Sequence, residues 1–256
     1  MKAIRFFIVA LFSCSLSVGH AQSEKNHEQL FALGNEAYIA EKYEEAINYF
    51  QTILAEGVHS PELYLNLGNA YFKNKNTAAS ILYYERGLLI DPNNQRILNN
   101  LTFAENQRLD KIDPLPLPLG QRIINQLFDV IPIKLWGIIS LVFGGLGLSV
   151  FVAFKATKRK IWWRSSLVLF TASLALYALT FKAKTLLDSD NSAIVFEPRV
   201  LVLSEPKSQA PVVFELHEGT KVQIEGRFQE YTEVRLANGQ SGWLKEQGIR
   251  RIKFQK

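Results

Sequence analysis

The side chains with chemical reach are few and scattered. Four histidines occur, His20, His27, His59 and His217, and none stands at metal-ligand spacing from a second ligand. A single cysteine, Cys14, leaves no intramolecular disulfide, multi-cysteine zinc site or iron–sulfur cluster to be built. Glu44, Glu45 and Glu105 fit solvated helix surfaces, and no nucleophile elbow, Walker loop or dinucleotide fingerprint is present. Gly144-Gly145-Leu146-Gly147 lies inside an apolar run, where close helix packing accounts for it. Nothing assembles an acid, a base and a pocket, so a noncatalytic protein without metal or cofactor is expected. What remains is recognition chemistry. Asn35 and Asn69 offer amides to a peptide backbone, Arg96 offers a fork to a carboxylate, and Tyr38, Phe72, Phe228, Tyr231 and Trp243 offer aromatic surface.

The first five of these residues lie in a segment that repeats every 34 residues. Gly34 pairs with Gly68, Leu33 with Leu67, Asn35 with Asn69, Ala46 with Ser80, Tyr49 with Tyr83 and Phe50 with Tyr84. Small residues at Gly34, Gly68, Ala46 and Ser80 let helices approach, and the aromatics fill the space between helix pairs. Pro61 and Pro92 mark the breaks between units. The pattern resembles the tetratricopeptide repeat (TPR), with copies at 27–60 and 61–94 and a capping helix at 95–108. That resemblance implies an inner face, lined by the first helix of each unit, that holds a peptide or protein tail; there Asn35, Tyr38, Asn69, Phe72 and Arg96 would sit. For the two asparagines, ligand binding on one hand and solvent exposure or bonding to neighbouring loops on the other are equally good readings. Phe31 stands where carboxylate-clamping relatives carry lysine, which argues against a ligand defined by its C-terminal carboxylate. Such arrays usually need about three units to bury a continuous core. Five helices are therefore marginal alone, and a partner is expected to stabilise them.

The chain has 256 residues, 48% hydrophobic and 21% charged, with a formal charge of +5. That size suits two modules rather than one large barrel, and the placement of the basic residues decides what they bind. Lys2 and Arg5 precede the apolar run Phe6 to Phe12 and small residues ending at Ala21, a secretory signal peptide over 1–21. A lipoprotein signal modified at Cys14 is the rival, weakened because the preceding Leu11-Phe12-Ser13 puts a bulky Phe where such signals usually carry a small residue. Two longer runs follow. Leu135 to Phe154 is twenty residues without a charge, about 30 Å of helix, and Ile161 to Phe181 carries only Arg164 near its start, behind Trp162 and Trp163. Spans are expected at 133–154 and 161–181; a hairpin buried in a soluble core is the alternative. The turn 155–160 together with Arg164 holds five positive charges and no acid, so the positive-inside rule places it in the cytoplasm. Both flanks then face the periplasm of a bacterial inner membrane. Insertion accounts for much of the basic excess, and nucleic acid is not an expected partner. A Pro-Leu linker occupies 109–132, including Gln121 to Val130 as either an interfacial helix or an extension of the first span.

Beyond Asn191 the period switches toward two. Val200 and Val202 alternate with Leu201 and Leu203, Val222 and Ile224 with polar neighbours, and Thr232, Val234 and Leu236 with Glu233 and Arg235. Turns fall at Ser204 to Lys207, His217 to Gly219 and Asn238-Gly239. These short strands suggest a small barrel over 192–254, and Leu216 to Thr220 with Asn238 to Leu244 resemble bacterial SH3-like domains. Trp243 is read as barrel core in preference to a ligand platform. Phe228 and Tyr231 are expected to be partly exposed and so to be the better binding candidates.

The expected fold is thus a multidomain membrane protein: an all-α TPR array, a two-helix transmembrane hairpin and an all-β SH3-like barrel. That order, with the Asp110 to Pro114 stretch and the Gly242-Trp243-Leu244 ending, resembles the BatE-type proteins of the Bacteroides aerotolerance (Bat) system. The resemblance implies partners among the other Bat components, which carry von Willebrand A-type or other interaction modules and work with a MoxR-type ATPase. It also implies a role in envelope maintenance or stress tolerance. On this reading the protein is an inner-membrane scaffold; the alternative is a cell-wall accessory that holds peptidoglycan through the barrel and recruits a hydrolase.

Overall fold

The computed structural model describes residues 26–116, 122, 126, 131, 133–188 and 191–253. The expected signal peptide, most of the 117–132 stretch with its interfacial helix, and the last three residues lie outside these. The chain divides into two compact units, one formed by the segments up to Asp113 and from Asn191 onward, the other by Pro114–Asp190.

In the first unit five helices follow one another: α1 (26–39), α2 (Tyr43–Ala55), α3 (Pro61–Lys73), α4 (Thr77–Ile90) and α5 (Gln95–Asn106). Their starts are written locally. Ser60 accepts from the Leu63 N–H at 3.1 Å with Pro61 at the first helical position, Asn76 accepts from Ala79 at 2.9 Å, and Asn94 from Ile97 at 3.3 Å. Glu41 and Lys75, one period apart, both take φ of 60° at the turn between paired helices. The repeat glycines work by proximity: a Cβ on Gly34 would stand 2.5 Å from Cε1 of Phe50, and one on Gly68 2.5 Å from Cδ1 of Tyr84. Phe50 and Tyr84 are fully buried and fill the space the glycines leave.

The C-terminal segment forms seven strands: β1 (Ser192–Val195), β2 (Arg199–Leu203), β3 (Val212–His217), β4 (Lys221–Phe228), β5 (Tyr231–Arg235), β6 (Ser241–Lys245) and β7 (Ile249–Arg251). All pairings are antiparallel, in the order β3-β2-β6-β5-β4-β1-β7. The expected barrel is corrected here: β3 and β7 end the sheet without pairing to each other, and it does not close. The segment up to Asp113 instead meets both edge strands at their ends. Arg86 of α4 donates from Nε to the Ile252 carbonyl and from Nη2 to the Arg251 carbonyl, each at 3.1 Å, along the free side of β7. At the end of β3, the Asp110 carboxylate accepts from the His217 N–H at 2.6 Å, from His217 Nδ1 at 2.8 Å and from the Thr220 hydroxyl at 2.7 Å.

The core follows the same joining. One buried cluster combines Leu65, Ile81, Leu82, Tyr84, Ile97, Leu101 and Ala104 of the helices with Ile194 and Ile252 of the β segment. A second, of Val195, Val200, Val202, Leu216, Val222, Val234 and Leu244, lies within the sheet and receives Ile112 from the stretch after α5. The sequence reads as two heads separated by a hairpin; in the structure they are one body.

The second unit is a helical hairpin of α6 (Ile133–Thr157) and α7 (Lys160–Asp188). Both helices are long and apolar enough to cross a membrane, over Leu135–Thr157 and Lys160–Thr185. Helix continues past the apolar runs, so of the turn expected at 155–160 only Lys158 and Arg159 leave it. Reciprocal hydroxyl bonds clasp the pair: Ser140 Oγ donates to the Ser173 carbonyl at 3.0 Å and Ser173 Oγ to the Ser140 carbonyl at 2.8 Å. Ser166 adds a bond to the Gly147 carbonyl at 2.9 Å, and Gly144 and Gly147 leave room for Ser173 and Phe170.

Candidate protein-binding groove

The first helices of the units, α1, α3 and α5, bring three of the five expected groove residues together. Tyr38, Asn69 and Phe72 line a cavity of about 250 Å³ with Lys73, Tyr84, Asn100 and Phe103. Tyr38 packs edge-on against Tyr43 at 5.6 Å between ring centres, and Phe103 is exposed at the rim. Burial raises the Tyr38 hydroxyl, with a further push from Tyr43; Tyr84 is raised in the same direction by burial and by Tyr38. Both remain protonated donors at neutral pH.

Asparagine pairs that recur with the repeat order the polar side chains in and beside the cavity. Asn66 Nδ2 donates to Asn35 Oδ1 at 2.9 Å, and one period later Asn100 Nδ2 donates to Asn69 Oδ1 at 2.7 Å. Asn69 Oδ1 accepts a second bond from the Tyr84 hydroxyl at 2.7 Å. Both lone pairs of that oxygen are therefore engaged within the array. Among the described residues Asn69 Nδ2 and Asn100 Oδ1 make no hydrogen bond, which leaves one donor and one acceptor, the inventory a peptide unit completes.

Asn35 and Asn69 thus spend their side-chain oxygens on holding the array together. Asn35 and Arg96 lie outside the lining, and Arg96 is exposed at the start of α5. Of the lining, sequence reasoning missed Lys73, Tyr84, Asn100 and Phe103, and it also missed Asn66, which supports Asn35 outside it. For Asn66 and Asn100 a signal existed, since they recur at the same period as Asn35 and Asn69.

The sheet places its three candidates differently from expectation. Phe228 is exposed, at 51%, but Tyr231 is buried at 3%. Tyr231 is paired with Lys245 and Phe228, and it lines a cleft of about 350 Å³ with Glu197, Arg199, Leu201, Leu203 and Lys245. Trp243 is half-buried and does not belong to the core cluster. Alternation explains this: Gly242 and Leu244 point into the core, so Trp243 takes the other face, across from Leu203 and Glu233.

Burial raises the Asp110 carboxyl, but the bonds from the His217 backbone, the His217 ring and the Thr220 hydroxyl outweigh it and hold the group below its ordinary value. On the helical side, burial pushes Tyr64 and Tyr71 up to about 12. These two rings flank Tyr83, stacked on it at 6.2 and 5.3 Å, and Arg86 lies 5.5 Å from the Tyr83 ring centre.

Among known families, the tetratricopeptide repeat matches residues 61–94, the second of the two copies read from the sequence. Repeats of this kind generally mediate protein–protein interaction, and a protein-binding role follows for this part of the chain. No curated protein matches the chain.

Proposed function

We propose that the protein is a noncatalytic, membrane-anchored scaffold that presents a peptide-binding groove to the periplasm. The observation that carries this reading is the unspent donor and acceptor of Asn69 and Asn100 between the aromatic walls of Tyr38, Phe72 and Phe103. An extended segment of a partner protein pairs one peptide unit with the two amides and lays an apolar side chain against the rings.

Anchoring is supported by the two long apolar helices. Same-side placement of both flanks is supported by their packing into one unit, because a body built from both ends of a hairpin needs both ends in one compartment. The basic residues from Lys155 to Arg164 favour the cytoplasm for the bend. Tethering raises the effective concentration of the groove for partners in the same membrane. The resemblance to BatE-type proteins points to other Bat components as those partners, in an aerotolerance or envelope-stress complex.

The test is purification of the tagged full-length chain from detergent-solubilised membranes. Associated proteins should be lost when Asn69→Ala and Asn100→Ala are combined. Recovery of the same complexes from that variant removes the groove from the account.

The cleft beside Tyr231 favours a second reading, a cell-wall accessory that recruits a hydrolase, since its apolar wall ends in Lys245 and Arg199. Sedimentation of the full-length protein with purified wall material discriminates the two. No retention sinks the second reading.

A further inference from the structure

We infer that the C-terminal β segment is the closing unit of the helical array, and that it positions α5, the far wall of the groove, from across the hairpin. The inference rests on the groove reading above for its functional consequence.

The repeat stops half-way through a third unit. α5 continues the 34-residue register, placing Asn100 one period after Asn66, but the described residues contain no second helix to cover it. An uncovered end would leave the large apolar side chains of Ile81, Ile97 and Leu101 facing water, which the hydrophobic effect disfavours. The β segment occupies that place. Ile194 at 0% and Ile252 at 3% exposure complete the cluster to which α4 and α5 contribute.

The turn between β3 and β4 reaches the same end. Gly219, at φ 84°, lies so close that a Cβ there would meet Ile81 Cδ1 at 3.1 Å and Arg108 Cγ at 3.2 Å. Polar contacts frame the seam. Arg86 holds the carbonyls of Arg251, the last residue of β7, and of Ile252 beyond it, Lys221 Nζ donates to Glu85 Oε1 at 2.7 Å, and Asp110 receives His217 and Thr220.

The consequence is an order of assembly. Residues 191–253 leave the ribosome after the hairpin, so the array is finished only once both apolar helices have been made and the β segment has reached the side where the array waits. A chain whose hairpin inserts with one flank on the wrong side carries an open array and a loosened groove wall. Binding competence is thereby linked to topology.

Hydrogen exchange on the full-length protein in detergent tests the positioning role without any ligand. Ile252→Asp should raise amide exchange in α5 by about tenfold or more while α2 keeps its wild-type rate, as expected for a sub-global opening. The milder Arg86→Ala should do the same to a smaller degree. Unchanged protection of α5 in both variants overturns the inference. In parallel, Glu85→Cys and Lys221→Cys in one chain, treated in intact cells with a short bis-maleimide, should give an intramolecular cross-link; its absence overturns the seam. Neither readout depends on a partner. Failure of the groove to bind peptide would leave both results standing.

Discussion

Asp110 and His217, separated by 107 residues and the whole of the hairpin, meet at 2.8 Å through a carboxylate oxygen and a ring nitrogen. The same carboxylate accepts the His217 N–H and the Thr220 hydroxyl, so one side chain fixes the stretch leaving α5 to the turn that starts β4. A half-buried acceptor with three donors is costly to disturb from either side.

Asp110→Asn keeps the shape and replaces one oxygen with a group that cannot accept. It should destabilise the unit by roughly 2 kcal/mol, read by thermal unfolding in detergent at pH 7. The pH dependence follows from the depressed carboxyl. Its contribution is present above the unfolded value near 3.9, and is lost as pH falls through the lower folded value. The gap between wild type and variant should therefore narrow only below about pH 4. A gap that already closes between pH 5 and 7 would assign the effect to another group.

Gly68→Ala should cost about 1–3 kcal/mol, because the new methyl would sit against the fully buried Tyr84 ring. Gly145→Ala is the control, since nothing lies within 4 Å of its Cβ position and alanine favours helix. Circular dichroism melting separates them; equal melting temperatures would mean that the repeat glycine has slack the structure does not show.

Thr232 should behave in the opposite sense. Its hydroxyl is buried in β5 with no hydrogen-bond partner among the described residues. Thr232→Val removes an unpaid desolvation and should stabilise the unit by about 1 kcal/mol in chemical denaturation. A loss of stability would reveal a partner for that oxygen.

Within the groove, Tyr84→Phe removes one of the two donors to Asn69 Oδ1 while preserving the ring that fills the Gly68 space. It should lower stability by about 1 kcal/mol and also weaken partner recovery, because Asn69 is no longer held in one orientation. Unaltered recovery with the expected stability loss would confine Tyr84 to the scaffold.

Several of these features were legible in the sequence because each rests on local periodicity. The 34-residue period exposed the small and aromatic positions, and the uncharged runs exposed the hairpin. Alternation gave the strands, with Val200 and Val202 inside and Leu201 outside. The joining of the flanks was not legible, since Arg86, Glu85, Asp110 and Ile252 carry no repeat and meet their partners more than 100 residues away. The same absence hid the open sheet: a strand pattern does not say whether an edge is closed by another strand or covered by a guanidinium. Tyr231 and Trp243 were misplaced for a related reason, because burial on the second face of a sheet depends on what lies over it, not on the strand's own alternation.

Site-specific photo-crosslinking in intact cells tests the central claim most directly, with a photoreactive side chain in place of Phe103 at the groove rim. The expected result is one discrete adduct with a second protein that disappears when Asn69→Ala is added. No adduct, or an adduct that persists undiminished in the Asn69→Ala background, would contradict a groove that binds protein through its asparagines.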